Sequence, residues 1–430
     1  MTDSPLILPA VAVAEIALGP GLKPSRSDNP LTASISRISP SIQAGFVHIV
    51  LVLVTVALTV WRSPERDILR PSLSGPSRYL IGPLSIWDGG WYAEIARNGY
   101  GERQMSTAFW PLYPFLTGIV SWTTGWSVAV TGVLLSNLAF VVALIVLYRL
   151  VSQSYGSLIA TRTVWLVALC QAAFFFSALY SESLFLLLTL SAIYLARNNR
   201  WTLAALALFL ATLTRSTGAL VIVPMLAVLV GQMGWSLRRT WKPGVQLAAA
   251  LAGPLVFAAH LNRLWGDPLL MVHIQSHWQR TFSLPWMTLW TGFRRTELIY
   301  ITGRHSCIDG VRHQTWPPCR DALGLNIDSL SDDLAVASVL VTIGMLLYAA
   351  RKLIAGDLLY ASAVFVVTLL STTADSPLLS TPRYVLVAYP LFIALAMLLK
   401  RRWLYLVTLG ASAGGLCWLL SVFARAYFVA

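Results

Sequence analysis

The 430-residue sequence predicts an all-α integral membrane protein, with about eleven transmembrane helices and two long extracytoplasmic loops. Three observations lead there. Hydrophobic residues make up 57% of the chain and charged residues only 11%, against about 25% charged in soluble domains, and mean hydropathy is +0.68. Apolar runs of about 20 residues, enough for a helix to cross a core of roughly 30 Å, recur from residue 44 onward. Short basic clusters punctuate those runs. Lipid offers backbone groups no partners, so each run must close its own hydrogen bonds as a helix. The net charge of +13 is spread over the punctuating clusters, which suits orientation in a bilayer rather than nucleic-acid binding.

The elements follow in order. Residues 1–43, with Pro20, Pro24, Pro30 and Pro40, read as a mobile cytoplasmic tail. Its apolar stretch 5–14 has no basic residue before it and makes a poor signal peptide. Residues 44–430 read as one multi-spanning domain. The positive-inside rule places Arg149, Arg197/Arg200, Arg238/Arg239/Lys242, Arg351/Lys352 and Lys400/Arg401/Arg402 on the cytoplasmic face. Spans at 44–61, 128–148, 158–176, 180–196, 201–214, 218–234, 245–262, 333–350, 356–373, 384–399 and 403–423 satisfy that demand, with the N-terminus inside. Residues 109–122 are apolar but interrupted by Pro111 and Pro114, which suits a re-entrant or surface helix. The loops 62–127 and 263–332 then lie outside, long enough to escape the charge rule. Cys170 and Cys417 fall within spans. Cys307 and Cys319 share the second long loop, where a bridge is an open alternative if the compartment is oxidising.

This parity sends five polar islands to one side of the membrane: residues 87–92, 180–183, 214–217, 273–278 and 380–384. Charge at the bilayer is expensive, so its grouping on one face points to a site. In Trp87-Asp88-Gly89-Gly90-Trp91-Tyr92 a single carboxylate stands among three aromatic side chains. Asp88 suits a general base, the alternative being a helix cap with Ser85. Trp87, Trp91 and Tyr92 suit stacking on a sugar ring, although aromatic belts are ordinary at interfaces. Glu182, beside Tyr180, starts a span; it is either a helix-dipole partner or a ligand for sugar hydroxyls. Arg215 and Arg383 sit at outer span ends, where snorkelling is the default and binding of a lipid phosphate the sharper reading. His273 and His277 are four apart and share a helical face. Their segment lacks the glutamate of the zinc-protease motif, so with Gln275 they are expected to touch phosphate or sugar. No metal or cofactor is expected. His48 reads as packing and Arg162 as snorkelling to the cytoplasm.

Absent motifs narrow the chemistry. No G-x-x-x-x-G-K phosphate loop occurs, and no Asp-x-Asp of the kind that clamps metal-bound nucleotide sugars. A polytopic lipid or glycolipid transporter, or flippase, stays open as the alternative to an enzyme. No internal repeat supports it, and the polar islands gather at one surface rather than at the midplane. A structural membrane subunit, with the aromatic loop holding a partner protein, is the third possibility.

The motif Trp87-Asp88-Gly89-Gly90-Trp91-Tyr92 is followed by Phe109-Trp110-Pro111-Leu112-Tyr113-Pro114, by Phe174-Phe175-Phe176-Ser177-Ala178-Leu179-Tyr180-Ser181-Glu182-Ser183-Leu184-Phe185 and by Thr214-Arg215-Ser216. In that order they resemble the PIG-V family of mannosyltransferases. The stretches Gly266-Asp267-Pro268 and Pro382-Arg383-Tyr384 are similar to its bacterial members, and a bacterial relative is expected. The resemblance runs over roughly residues 44–400 and implies the fold of the GT-C superfamily, whose members carry a catalytic acid in the first outer loop. It also implies a polyprenyl-phosphate-mannose donor, with Asp88 as base. The expected acceptor is a membrane-anchored glycan or glycolipid outside the cytoplasm. One carboxylate suffices for an inverting displacement, because phosphate departs without a proton donor.

Overall fold

The computed structural model describes residues 39–62, 76–302, 327–373, 376–378 and 380–426. The expected tail lies outside these residues except at its end, because α1 (Pro40–Arg62) already begins at Pro40. Proline is well placed there, since the first N–H groups of a helix have no partner to lose. The Ser41 hydroxyl then donates to Leu144 O at 3.1 Å and ties the new helix end to its neighbour. Cys307 and Cys319 also fall outside the described residues, whereas Cys170 and Cys417 are free thiols.

Helices follow one another along almost the whole described chain. The described part of the first long loop is not irregular. It folds as α2 (Asp88–Asn98) and α3 (Leu112–Thr124), which pack together. There the expected re-entrant or surface helix at 109–122 takes shape, with Tyr113, Pro114 and Thr117 buried and Phe115, Ile119 and Trp122 exposed. Next come α4 (Val128–Tyr155), α5 (Ser157–Ala168), α6 (Glu182–Arg197), α7 (Trp201–Thr212) and α8 (Ile222–Met233). They are followed by α9 (Leu237–Ala250), α10 (Gly253–Trp265) and α11 (Pro285–Thr302). The last four are α12 (Ile327–Ala349), α13 (Ala355–Leu369), α14 (Tyr389–Leu398) and α15 (Arg402–Ala424). The second long loop thus holds α11, and α12 starts ahead of the expected loop end.

By length and composition, six helical stretches among the described residues can cross a membrane: Pro40–Arg62, Val128–Tyr155, Ser216–Met233, Leu237–Trp265, Asp332–Ala349 and Arg402–Ala424. The other five expected crossings coincide with α5, α6, α7, α13 and α14, which are only 10 to 16 residues long. At α5 the apolar run continues past the helix as largely buried irregular backbone. After α5 the chain makes a 3-10 turn at Ala173–Phe176 and reaches α6 through residues 177–181, all buried. Non-helical backbone at membrane depth is tolerated where protein surrounds it.

The core is aromatic and closely packed, with Trp165, Phe140, Phe174, Phe176 and Phe185 fully buried among α1, α4, α5, α6 and α15. His48 packs there as expected, 4.8 Å from the Phe140 ring, with Nδ1 at 2.7 Å from Ala168 O. At the end of α6 a buried carboxylate, Asp357, accepts from Arg197 Nη2 (2.7 Å), Tyr155 OH (2.8 Å) and Tyr389 OH (2.8 Å), joining four helices. Arg162 departs from its expected snorkelling. Its Nη1 donates to Leu399 O at 2.7 Å and its guanidinium lies over the Tyr405 ring, so it closes the end of α14.

A two-stranded antiparallel sheet, β1 (Arg280–Phe282) with β2 (Ser371–Thr373), pairs Arg280 with Thr373 and Phe282 with Ser371. It fastens the second long loop to the chain that leads into residues 380–384.

Candidate active site

Each half of the site begins at a helix start. Asp88 is the first residue of α2 and Glu182 the first of α6, so both carboxylates meet the positive end of a helix macrodipole. Trp87, just before α2, has φ 57°, a left-handed backbone that costs a bulky residue on the order of 1–3 kcal/mol. That turn swings Asp88 away from a capping role. No side chain caps α2, and Ser85 spends its hydroxyl on Ile81 O (3.0 Å), so the capping alternative is not what this carboxylate does.

Arg383 supplies the link. It lies in the single-turn helix Thr381–Val385, entered through Pro382 and through Ser380 at φ 63°. Nη1 donates to Asp88 Oδ2 at 2.5 Å, and Nε donates to Glu182 Oε1. Glu182 Oε1 also accepts from Arg215 Nη1 at 2.5 Å, while Glu182 Oε2 has no partner among the described residues. Two arginines and two carboxylates therefore balance in charge, with side-chain exposures of 0% for Glu182, 6% for Arg383, 12% for Arg215 and 26% for Asp88. Desolvating four charges is costly and is offset only by such mutual pairing. Asp88 is the most accessible member of the cluster.

Aromatic rings wall it. The Arg383 guanidinium lies 4.6 Å from the Tyr180 ring centroid and 5.2 Å from that of Phe175, cation–π geometry in both cases. Tyr384 receives Arg215 at 5.6 Å and Arg280 at 5.7 Å. Tyr384 holds Arg280 above the ordinary arginine value, with Asp88 adding to that pull against burial and against Arg383. Tyr92 faces Ser181 across 2.9 Å, and burial, reinforced by Glu182, pushes its phenol up to about 12, so it stays a neutral hydrogen-bonding group. Trp91, one turn beyond Asp88, stacks on Phe109 at 6.0 Å and meets the edge of Trp278 at 5.7 Å.

Close backbone contacts set these positions. A Cβ on Gly132 of α4 would fall 1.8 Å from Leu179 Cδ1, next to Tyr180, and one on Gly218 would fall 2.3 Å from Ala211 O, beside Arg215. Small residues here let α4 and the turn after α7 press against the segment that carries the charges.

Of the residues singled out from sequence, Asp88, Tyr92, Tyr180, Glu182, Arg215 and Arg383 come together, with Trp87 and Trp91 on the same helix start. His273, Gln275 and His277 do not join them. His273 is exposed and pairs with Asp267 Oδ2 at 2.7 Å, lowering that carboxyl; Gln275 donates to Met271 O within its own turn; His277 is exposed. Trp278, the next residue, is the one that reaches Trp91. The sequence reading missed Ser181, Phe175, Arg280 and Trp278. Ser181 and Trp278 were inside named islands, whereas Arg280 is positioned by strand pairing that no local pattern announces. Among the described residues no group of three or more His, Cys, Asp or Glu converges to hold a metal.

Comparison with known proteins bears on the same stretch. Residues 73–261 match the family model described as Mannosyltransferase (PIG-V). GPI mannosyltransferase 2 of Yarrowia lipolytica is 28% identical over 184 residues, 42% of this chain and 49% of that protein. The Cryptococcus neoformans protein of the same name is 33% identical over 158 residues, 34% of this chain and 37% of that protein. The chain thus spans half or less of the length of these relatives, which are fungal rather than bacterial. Among solved structures, the apo Archaeoglobus fulgidus oligosaccharyltransferase is similar with a TM-score of 0.49 at 13% identity, over 90% of this chain and 56% of that one. Residues 73–261, which hold Asp88, Tyr180, Glu182 and Arg215, are thus similar to the PIG-V mannosyltransferase family.

Proposed function

We propose that this protein is a GT-C-type glycosyltransferase that moves mannose from a polyprenyl-phosphate-mannose donor to a membrane-anchored glycan or glycolipid, with inversion. The reading places it in the cell membrane, with residues 1–43 cytoplasmic, about eleven crossings and the site on the extracytoplasmic face. One observation carries it: Arg383 bridges the carboxylates that start α2 and α6. A planar guanidinium meets phosphate in fork geometry, and here it stands beside the accessible carboxylate of Asp88.

In the proposed reaction an acceptor hydroxyl oxygen attacks the anomeric carbon from the face opposite the phosphate. The new C–O bond forms as the bond to the lipid phosphate oxygen breaks, and its electron pair leaves on the phosphate. Arg383 and Arg215 stabilise that charge. The hydroxyl proton passes to Asp88, a step worth about 10²- to 10⁴-fold in rate. Glu182, fully buried between the arginines, fixes their positions and takes no proton. Trp91 with Trp87 and Tyr92 borders the acceptor side, where flat rings suit sugar faces.

The test is transfer of labelled sugar by purified protein in lipid bilayers containing glycolipid extract. Labelled glycolipid formed from polyprenyl-phosphate-mannose, and not from a nucleotide-linked mannose, supports the reading. Movement of the labelled lipid between leaflets without any product would replace it with the transporter alternative.

A further inference from the structure

Residues 281–293 carry no charged side chain, yet they belong to the second long loop rather than to any expected crossing. Most of them open α11, which is not among the stretches apolar enough to cross a membrane. The helix has two unlike faces. Leu289 and Phe293 pack on a buried cluster formed by Ala335 and Val339 of α12, Phe365 and Leu369 of α13, and Leu378. Gly292 sits so close to that cluster that a Cβ there would fall 2.6 Å from Leu378 Cδ1. The other face is bare. Trp286 is 64% exposed, Met287 52% and Trp290 65%, and Phe282 and Leu284 just ahead of them are exposed as well. Single apolar side chains at a surface are ordinary, but a run of this size marks a contact.

Two observations say what covers it. The first is depth. Ala335 and Val339 lie three and seven residues beyond Asp332, where the crossing stretch of α12 begins, or roughly 5 and 10 Å at 1.5 Å per residue. The inner face of α11 is thus packed on the flank of a membrane-crossing helix, at about the 5–10 Å to which interfacial helices sink their apolar side. The second is the order of charge along the exposed line. Trp286, Trp290 and Arg294 follow at intervals of four, so they share one side of the helix. Arg294 lies 5.7 Å from the Trp290 ring centroid and pairs with Glu297 at 2.9 Å. Apolar residues therefore give way to an exposed ion pair toward the C-terminal end. An indole beside a guanidinium suits the boundary between acyl chains and headgroups.

We propose that α11 is an interfacial helix of the leaflet at the Arg383 end of the molecule, with Trp286, Met287 and Trp290 among the upper acyl chains and Arg294 at the headgroups. Val385, two residues after Arg383, packs on the same buried cluster and identifies that end. The strand β1 stops three residues before α11 begins and brings Arg280 over the Tyr384 ring. The helix moors the second long loop in the bilayer beside the charge cluster, whatever reaction that cluster performs.

The experiment uses the full chain in phosphatidylcholine vesicles. An environment-sensitive fluorophore is attached to Trp290→Cys, Glu297→Cys or Leu340→Cys, with the four native cysteines replaced by serine. Lipids brominated on the acyl chain near the headgroup quench it from the membrane, and iodide quenches it from water. Leu340, exposed on the crossing stretch of α12, reports insertion. The label at Trp290 is expected to be quenched by bromolipid about twofold or more beyond the label at Glu297, and by iodide correspondingly less. Iodide reaching Trp290 as readily as Glu297 would put this face in water and overturn the proposal. Protection of Trp290 from both quenchers would overturn it too, by showing that a second copy or a partner protein covers the face. Unlabelled protein with all its cysteines gives an independent reading. Trp286→Phe combined with Trp290→Phe should lower the share of tryptophan emission that bromolipid quenches, and an unchanged share would contradict the seat in lipid.

Discussion

Arg383 and Asp88, 295 positions apart, meet through a 2.5 Å hydrogen bond between Nη1 and Oδ2. The same guanidinium also holds Glu182, so residues from the first long loop, the start of α6 and the chain before α14 form one charged cluster. Each member depends on the others for its position. The consequences of altering them differ accordingly.

Glu182→Gln removes one negative charge from between two buried arginines. Breaking such a pairing typically costs about 3–5 kcal/mol, so the variant should unfold at a clearly lower temperature in detergent. A thermal unfolding curve that matched wild type would show that Glu182 does not hold the arginines.

Arg383→Lys keeps the charge but replaces a planar fork by a compact ammonium. It cannot span both carboxylates and a phosphate. Donor-lipid affinity should fall roughly tenfold, the equivalent of about 1.4 kcal/mol, as read by equilibrium binding of the polyprenyl phosphate. Unaltered affinity would remove Arg383 from the phosphate site.

Gly218→Ala would push a methyl group to 2.3 Å from Ala211 O, a backbone atom with nowhere to go. The expected cost is on the order of 1–3 kcal/mol, with Arg215 displaced from Glu182. Gly132→Ala meets the Leu179 side chain instead and should be milder. Comparing their thermal unfolding midpoints orders the two.

Topology is open to direct labelling. Gly90→Cys, in the exposed part of α2, should react with a membrane-impermeant thiol reagent added outside intact cells, whereas Arg351→Cys should react only after permeabilisation. The reverse pattern would turn the site to the cytoplasm.

Much of this was legible in the sequence because it depends on local composition. Apolar runs located α1, α4 to α8, α10 and α12 to α15, whereas α2 and α11 lie in stretches read as loops, and charge parity singled out the islands at 87–92, 180–183, 214–217 and 380–384 that the structure brings together. Helix ends were harder to read. The run 158–176 is mostly apolar, yet α5 stops at Ala168, and residues 172–176 beyond it are buried in protein, where non-helical backbone is tolerated. His273 and His277 drew attention as chemically capable side chains, but which face of a short turn looks inward is decided by packing, and there Trp278 points to Trp91. Arg280 owes its place to pairing with Thr373, a contact across 93 residues that has no local signature.

The most direct test of the central claim is Asp88→Asn, which keeps the side chain's shape and removes its capacity to accept a proton. With polyprenyl-phosphate-mannose and glycolipid extract, the variant should bind the donor but transfer mannose about 10²- to 10⁴-fold more slowly than wild type. Transfer at the wild-type rate would contradict the account.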